Sequence, residues 1–525
     1  MSHSSSNVHG KRQASTQGGH HKSQKRARTQ EDLDEGRMRI ASIYRSALAT
    51  STLQKNFEQT HDIFHDRHQA IIHGREARTP SEAAKVSNLA SEQRKHPMAI
   101  GRPFETTGPP IAIYHTVFSE FKTFIKSPDA APPKDVVAAL NLMQAAAEVY
   151  RNEDARIKSI RPFIEDLLKR RMFGLPAGYS FNPDGVIWCD TTVALVPLLV
   201  MEAENEIGTG GSGPDIQGAF AFRKLWVEDK SPLSKIQNVC CCPSFVLSMV
   251  GPHITIHGAI FADQFIVQPL TETLGLTNYP DPFGRARYIA KIMVALRRCL
   301  EALEDFYNGL IPADISQRAN ISPIFRQYDG GDGEKVTLTY TSPNLLSTRV
   351  GRAMFNALAK RPNDEQGISV KVKFTTRYCP AAHALLAESN LAPKLRHCEK
   401  LEDGWIVVVM DSVAGQDMAS VKHGSVPPSA FEDVERAIRT LHGEGWVFGD
   451  LRSPNIMLYE RDIPGVGTRK GAMLVDFDWA GKENEQRYPP GLNPDIKWPE
   501  GVEEGGIIKM EHDDRMLELL KAGEL

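Results

Sequence analysis

Large apolar residues enter this chain late. Residues 1–36 are rich in Ser, His, Gln and Gly and hold almost no large hydrophobic side chains. Burial cannot offset the entropy of ordering such a segment, so the pattern predicts a disordered basic tail. From 37 to 175 apolar positions recur at helical spacing. Within Lys134–Tyr150, the residues Val136, Leu140, Met143, Ala147 and Tyr150 fall on one stripe. "RPFIEDLLKRR" follows, with Pro162 suited to a helix start. Between 176 and 310 the period shortens. Gly185–Asp190, Leu195–Glu204, Ser244–Met249 and Ile254–Phe261 read as buried strands of an α/β domain. A long amphipathic helix then carries Ile289, Met293, Leu296, Leu300 and Leu303. Residues 311–335, closing on "YDGGDGEK", read as a linker. From 336 to 525 short β-like segments come first and helices later, with no internal repeat.

Composition narrows the picture by exclusion. At 525 residues the chain has room for two to four domains. A formal net charge of -3 provides no overall field for membrane or nucleic acid, so nucleic-acid affinity would have to be local. The longest apolar run, Thr192–Met201, is too short to span a bilayer, and the first forty residues lack the apolar core of a signal peptide. The 7 cysteines form no C-x-x-C pair, as expected of buried free thiols in an intracellular protein. The sequon at Asn320–Ser322 is then without consequence. Lys11-Arg12 and Lys25-Arg26-Ala27-Arg28 resemble a bipartite nuclear import signal, leaving nucleus or cytoplasm as the expected location.

The chemistry concentrates in the last third. "PPSAFEDVERAIRTLH" carries the pattern of a capping box at Ser429 and Glu432, with Phe431, Val434, Ile438 and Leu441 on one face. "WVFGDLRSPNIML" follows, and its Asp450 sits five residues before Asn455. A carboxylate on a tight loop after a buried helix must be hydrogen-bonded or used. Further on, "AMLVDFDWAG" is an apolar strand ending in Asp476-Phe477-Asp478. Upstream, "ISVKVKF" alternates Val370 and Val372 with Lys371 and Lys373. A strand lysine, then two acids and an asparagine on later loops, suits phosphoryl transfer. Lys373 would hold phosphate oxygens of ATP, Asp476 and Asn455 would hold Mg²⁺, and Asp450 would orient a hydroxyl and accept its proton. A helix over Ala381–Glu388, the segment "LAPKL" and the strand "WIVVVM" lie between, the order of a protein kinase.

The segments "VKFTTRYCPAAHALLAESNLAP", "WVFGDLRSPNIML", "VDFDWAGK" and "RYPPGLNPDIKWPEGVEEGGIIKMEHDDRML" resemble the fungal-type protein kinase family, most specifically over residues 340–525. The resemblance implies an α+β multidomain protein with a C-terminal two-lobed protein-kinase-like domain over 336–525, preceded by the helical region and the α/β domain. It also implies ATP, Mg²⁺ and a protein substrate bearing Ser or Thr. It puts Lys373 at the strand lysine, Asp450 at the catalytic base and Asn455 and Asp476 at the metal. Arg452 would lie near the transferred phosphate, Met410 at the gatekeeper, and the Asp411 and Val413 backbones against adenine. Gly351 is the one glycine of a phosphate-covering loop.

The departures from the family pattern carry information too. Phe448-Gly449-Asp450 replaces H-R-D, so an aromatic takes over the histidine's packing and no arginine remains to meet an activation-loop phosphate. Gly449-Asp450 and D-F-D are like the loops of aminoglycoside and choline kinases, so a small-molecule phosphotransferase is an alternative. A pseudokinase scaffold is another, because the helix after Lys373 offers only Ala382-His383 or Glu388 where a glutamate is usual. Just 49 residues follow Asp476, and Asp513 or Asp514 would anchor the loop from a final helix. In the middle region, Asp190, Glu202 and Glu204 imitate the acid and E-x-K skeleton of restriction-endonuclease-like folds, with Gln217 on the following helix. Glu204 stands where the lysine belongs, so an inactive nuclease-like module is expected, with DNA cleavage dependent on Glu202 as the opposing possibility.

Overall fold

The computed structural model describes residues 63–104, 106–209, 211–228, 233–277, 279–311, 320–331, 333–342, 352–364, 366–402, 404–463 and 467–525. The tail with its two basic clusters and Gly351 lie outside them. Helices α1 (Ile63–Glu76), α2 (Pro80–Ala84), α3 (Val86–Lys95), α4 (Thr116–Lys126), α5 (Pro133–Ala147) and α6 (Glu153–Leu168) precede the first strand. Two of them differ from the pattern. On α5 the buried face is Asp135, Ala138, Ala139, Leu142, Met143 and Ala146, while Ala147 is exposed. Met143 of the expected stripe is buried, Val136, Leu140 and Tyr150 pack partly buried against the same core, and the Asp135 carboxylate takes two bonds of 3.1 Å from Arg297. Helix α6 starts at Asn152, whose side chain accepts from the Ala155 N–H, and Glu153 and Asp154 favour that first turn. Pro162 is therefore inside the helix and not at its start.

Strands β1 (Gly185–Asp190), β2 (Leu195–Glu204), β3 (Ser244–Val250), β4 (His253–Phe261), β5 (Phe265–Pro269) and β6 (Leu274–Gly275) form one sheet in the order β1-β2-β3-β4-β5, with β6 on β4. All neighbours are antiparallel except β2 and β3. A parallel pair needs a crossover, supplied by α7 (Pro214–Val227) and α8 (Leu233–Gln237). The long helix α9 (Pro282–Asn308) buries all five of its periodic positions and packs on α4, α5, α6 and β2.

A second sheet follows, built from β7 (Gln327–Asp329), β8 (Lys335–Ser342), β9 (Arg352–Lys360), β10 (Ile368–Thr375), β11 (Leu395–Lys400) and β12 (Ile406–Asp411). Its order is β11-β12-β10-β9-β8-β7. Tyr328 pairs with Val336 and Asp329 with Lys335 in a β7–β8 hairpin, so these ends of the expected linker lie in the sheet. Val336, Leu338, Phe355, Val370, Val372 and Val409 join the core of the first sheet, giving one continuous apolar interior. Tyr114 meets Phe355 edge-on at 6.3 Å across that seam.

A separate core forms under the second sheet from α10 (Pro380–Glu388), α11 (Pro428–Gly443) and α12 (Met510–Ala522). The short strands β13 (Gly415–Asp417), β14 (Trp446–Val447), β15 (Ile456–Ile463), β16 (Gly467–Leu474) and β17 (Gly481–Lys482) pair as β13-β15-β16 and β14-β17. The expected capping box on α11 does not form. Pro428 starts the helix, and the Ser429 hydroxyl donates to the Lys470 carbonyl at 2.6 Å instead. All 7 cysteines are free. No described helix is long and apolar enough to cross a membrane.

Candidate active site

Register brings the two metal-site candidates together. The β15–β16 ladder opens on the rung Ile456–Leu474, so Asn455 and Val475 sit at adjoining strand ends. The Val475 N–H donates to the Asn455 carbonyl at 2.9 Å, locking that relation one residue before Asp476. Asp476 has φ +70°, a left-handed conformation that favours glycine. Such strain persists only where the surroundings impose it. Here they do: the Cys379 N–H holds the Phe477 carbonyl at 3.1 Å, and the Phe477 ring is enclosed on several sides.

Aromatic side chains close those sides. Phe448 meets Phe477 edge-on at 5.5 Å. His383, on α10, stacks on its face at 4.6 Å. The His383 ring is in turn fixed by the Tyr378 hydroxyl at 2.6 Å and the Pro393 carbonyl at 2.7 Å. Burial keeps this imidazole neutral and pushes its pKa down to about 4. α10 thus contributes an aromatic brace against Phe477.

The lysine finds its counter-charges elsewhere. Lys373 is 1% exposed, and its Nζ donates at 2.6 Å to Asp476 Oδ1 and at 2.6 Å to Asp478 Oδ1. The Thr375 hydroxyl donates to Asp478 Oδ2 at 3.2 Å. Arg352, the first residue of β9, takes the remaining Asp476 oxygen. Burial opposes the charge on Asp476, but Lys373 and Arg352 outweigh it and hold the carboxyl far below its ordinary range. Burial and the Asp476 charge push Asp478 up to about 6. Two cations therefore serve one firmly ionised acid and one that titrates close to neutrality. Neither Asp478 nor Arg352 was singled out by the pattern, although the second acid of D-F-D was in plain view.

Asp450 lies on the neighbouring loop, 5% exposed. Arg452 grips both of its oxygens, through Nε and, at 2.7 Å, through Nη2. The guanidinium is steadied over the Trp479 and Trp498 rings at 5.7 Å each. Asn455 Nδ2 donates to the Asp450 carbonyl at 2.9 Å, which leaves its amide oxygen as a hard donor. The loop is anchored from α12 by Asp513, not Asp514. Its carboxylate accepts the Phe448 and Gly449 N–H groups at 2.7 and 2.8 Å. Gly449 has φ +79°, and a Cβ there would lie 2.9 Å from Ile508 Cδ1 and 3.3 Å from the Trp479 carbonyl. A side chain such as arginine at this position would strain the backbone and crowd Ile508.

Asp476, with the Asn455 amide oxygen, is an oxygen donor set suited to Mg²⁺, which takes one or two carboxylates and completes its shell with phosphate and water. Among the described residues no three acidic, thiol or imidazole groups form a preformed metal cage. Asp411 and Val413 fall in a different setting. They line a cleft of about 680 Å³ beside Glu388, Asn390 and Lys394, and none of Lys373, Asp450, Asn455 or Asp476 lines it. Arg396 holds the Asp411 carboxylate at 2.6 and 2.9 Å. Met410 pairs with Lys371 across the sheet.

In the middle region the structure changes the membership of the acidic group. Gly185 pairs with Met201 and Asp190 with Leu195, so Asp190 lies at the far end of the sheet from Glu202. Asp184 is the neighbour instead, accepting the Ala203 N–H at 2.7 Å. Burial first, with the Glu153 charge adding, pushes Asp184 up to about 7. Burial and Asp184 also raise Glu202, to which Gln217 Nε2 donates at 2.7 Å. Glu202 and Gln217 open on a pocket of about 120 Å³ with Thr79, Ser81 and Asn182. Glu204, where a lysine would be needed, is buried on the same strand. Glu202 is tied to the Gln217 amide and Asp184 to the Ala203 N–H, which makes this a buried polar cluster.

No protein-family model and no curated protein sequence matches the chain. Among solved structures it is similar to the PK-1 kinase of Cydia pomonella granulovirus, at 12% identity over 33% of this chain and 64% of that one, TM-score 0.26. It is also similar to vaccinia related kinase 3, at 14% identity over 39% of this chain and 68% of that one, TM-score 0.28. The chain thus spans less than two thirds of the viral kinase's length. Both are kinases, and likeness at these scores carries no weight for the chemistry.

Proposed function

We propose that residues 336–525 form a two-lobed, kinase-like domain that transfers phosphate from ATP, with Mg²⁺, to Ser or Thr hydroxyls of a protein. The observation that carries this is the pairing of a fully buried strand lysine with an ionised aspartate, Lys373 with Asp476, beside the Asp450–Asn455 loop. A buried lysine and a left-handed aspartate are both costly, and phosphoryl transfer explains why they are held together. Asp476 and the Asn455 amide oxygen would hold the cation, which neutralises phosphate charge when bound. Lys373 orients phosphate oxygens. Asp450 receives the acceptor's hydroxyl proton, and Arg452 holds its carboxylate in place. Gly449, left-handed and close to Ile508, stands where an arginine would meet a phosphorylated segment, so activity without such a switch follows from this reading.

Calorimetric titration with Mg-ATP, followed by transfer of labelled γ-phosphate to protein mixtures or to choline and sugars, tests the reading. Binding by the wild type, its loss in Lys373→Met, and transfer to protein that Asp450→Asn abolishes are the expected results. Transfer only to small alcohols moves the function to the small-molecule class. Binding without any transfer, unchanged by Asp450→Asn, marks a scaffold.

A further inference from the structure

Both Asp476 oxygens are already in use: Lys373 donates to one and Arg352 to the other. Together with Asp478 these side chains form a closed set of two cations and two acids in a poorly solvated cleft. Arg352 is 25% exposed, Asp476 14% and Lys373 1%. A free divalent cation entering here would have to displace Arg352 and leave the guanidinium facing two positive centres. A cation that arrives with a polyphosphate brings the anionic oxygens Arg352 needs. Guanidinium forks suit such oxygens as well as they suit carboxylate. The charge of Asp450 also acts on Arg352, which therefore lies near the acid proposed to meet the acceptor.

From this, and resting on the phosphotransferase reading, we propose that Arg352 is a specificity-determining residue that excludes free divalent metal. The site then loads only with a metal–nucleotide complex. Lys373 is held by two acids and does not move, whereas Arg352 enters from the first residue of β9 and swings from Asp476 to phosphate.

The test is binding of Mn²⁺ alone, read by the spin resonance of the free ion, and of Mn-ATP, read by calorimetry, on the full chain. Wild type is expected to leave Mn²⁺ free at concentrations where Mn-ATP saturates. Arg352→Gln should bind Mn²⁺ alone roughly tenfold or more tightly, the scale of one charge-assisted bond released from Asp476. Adding Asp476→Asn should abolish that gain, and Arg352→Lys, which keeps the charge, should behave as wild type. Equal Mn²⁺ binding by wild type and Arg352→Gln, with Mn-ATP binding intact, overturns the proposal alone. Failure of wild type to bind Mn-ATP overturns the phosphotransferase reading beneath it.

Discussion

Replacing Asp478 by asparagine should stabilise the protein at neutral pH while weakening the proposed nucleotide site. The carboxyl pKa rises from 3.8 to about 6 in the fold, which corresponds to roughly 3 kcal/mol. The folded state therefore binds the Asp478 proton more tightly than the unfolded chain does. This contribution is fully present below 3.8 and is lost as pH rises through about 6. Asparagine resembles the protonated acid and keeps an oxygen for Lys373, but it gives up the acceptor for Thr375, worth about 1 kcal/mol. The net gain at pH 7.5 is about 2 kcal/mol, shrinking to within about 1 kcal/mol of wild type at pH 4.5. Urea denaturation of the full chain at the two pH values measures it, with Mg-ATP titration in parallel to read the expected loss of affinity. A variant less stable than wild type by more than about 1 kcal/mol at pH 7.5 would refute the reasoning, because the ionised Asp478–Lys373 pair would then be net favourable.

Asp513→Ala leaves the buried Phe448 and Gly449 N–H groups without their acceptor. At about 1–3 kcal/mol each, denaturation should show a loss of several kcal/mol. Phosphate transfer should fall much further than Mg-ATP binding, since Lys373 and Asp476 hang from other elements. Gly449→Ala should lose at least about 1–2 kcal/mol through its left-handed backbone alone, and Ile508→Val, which removes the atom 2.9 Å away, should recover part of any excess. His383 is buried neutral with its pKa pushed from 6.5 to about 4, so its contribution is present above 6.5 and lost as pH falls toward 4. That amounts to about 3 kcal/mol, and His383→Phe should flatten the stability profile over this window in a pH series of thermal melts.

The strands of the first sheet, α9 and the loop around Asp450 were legible because each is written in a short, locally periodic stretch. The stripe on α5 was legible except at Ala147, which is exposed, whereas the burial of Asp135 on the same helix rests on Arg297, far along the chain. Pro162 misled because a stronger cap upstream had already begun the helix. Asp190 and Asp184 bracket one strand, and only the antiparallel register with β2 says which end meets Glu202.

Sequence alone determined where the strand lysine, the two acids and the asparagine stand, since alternation, turns and helical spacing act between near neighbours. Tertiary structure decided the partners: Asp478 for Lys373, Arg352 for Asp476, His383 for Phe477 and Asp513 for the loop. Hydrogen bonds and ion pairs work only across about 3 Å. Lys373 and Asp478 stand 105 positions apart and Arg352 and Asp476 stand 124, so their meeting is a property of the packed sheets and helices and of no single stretch of chain.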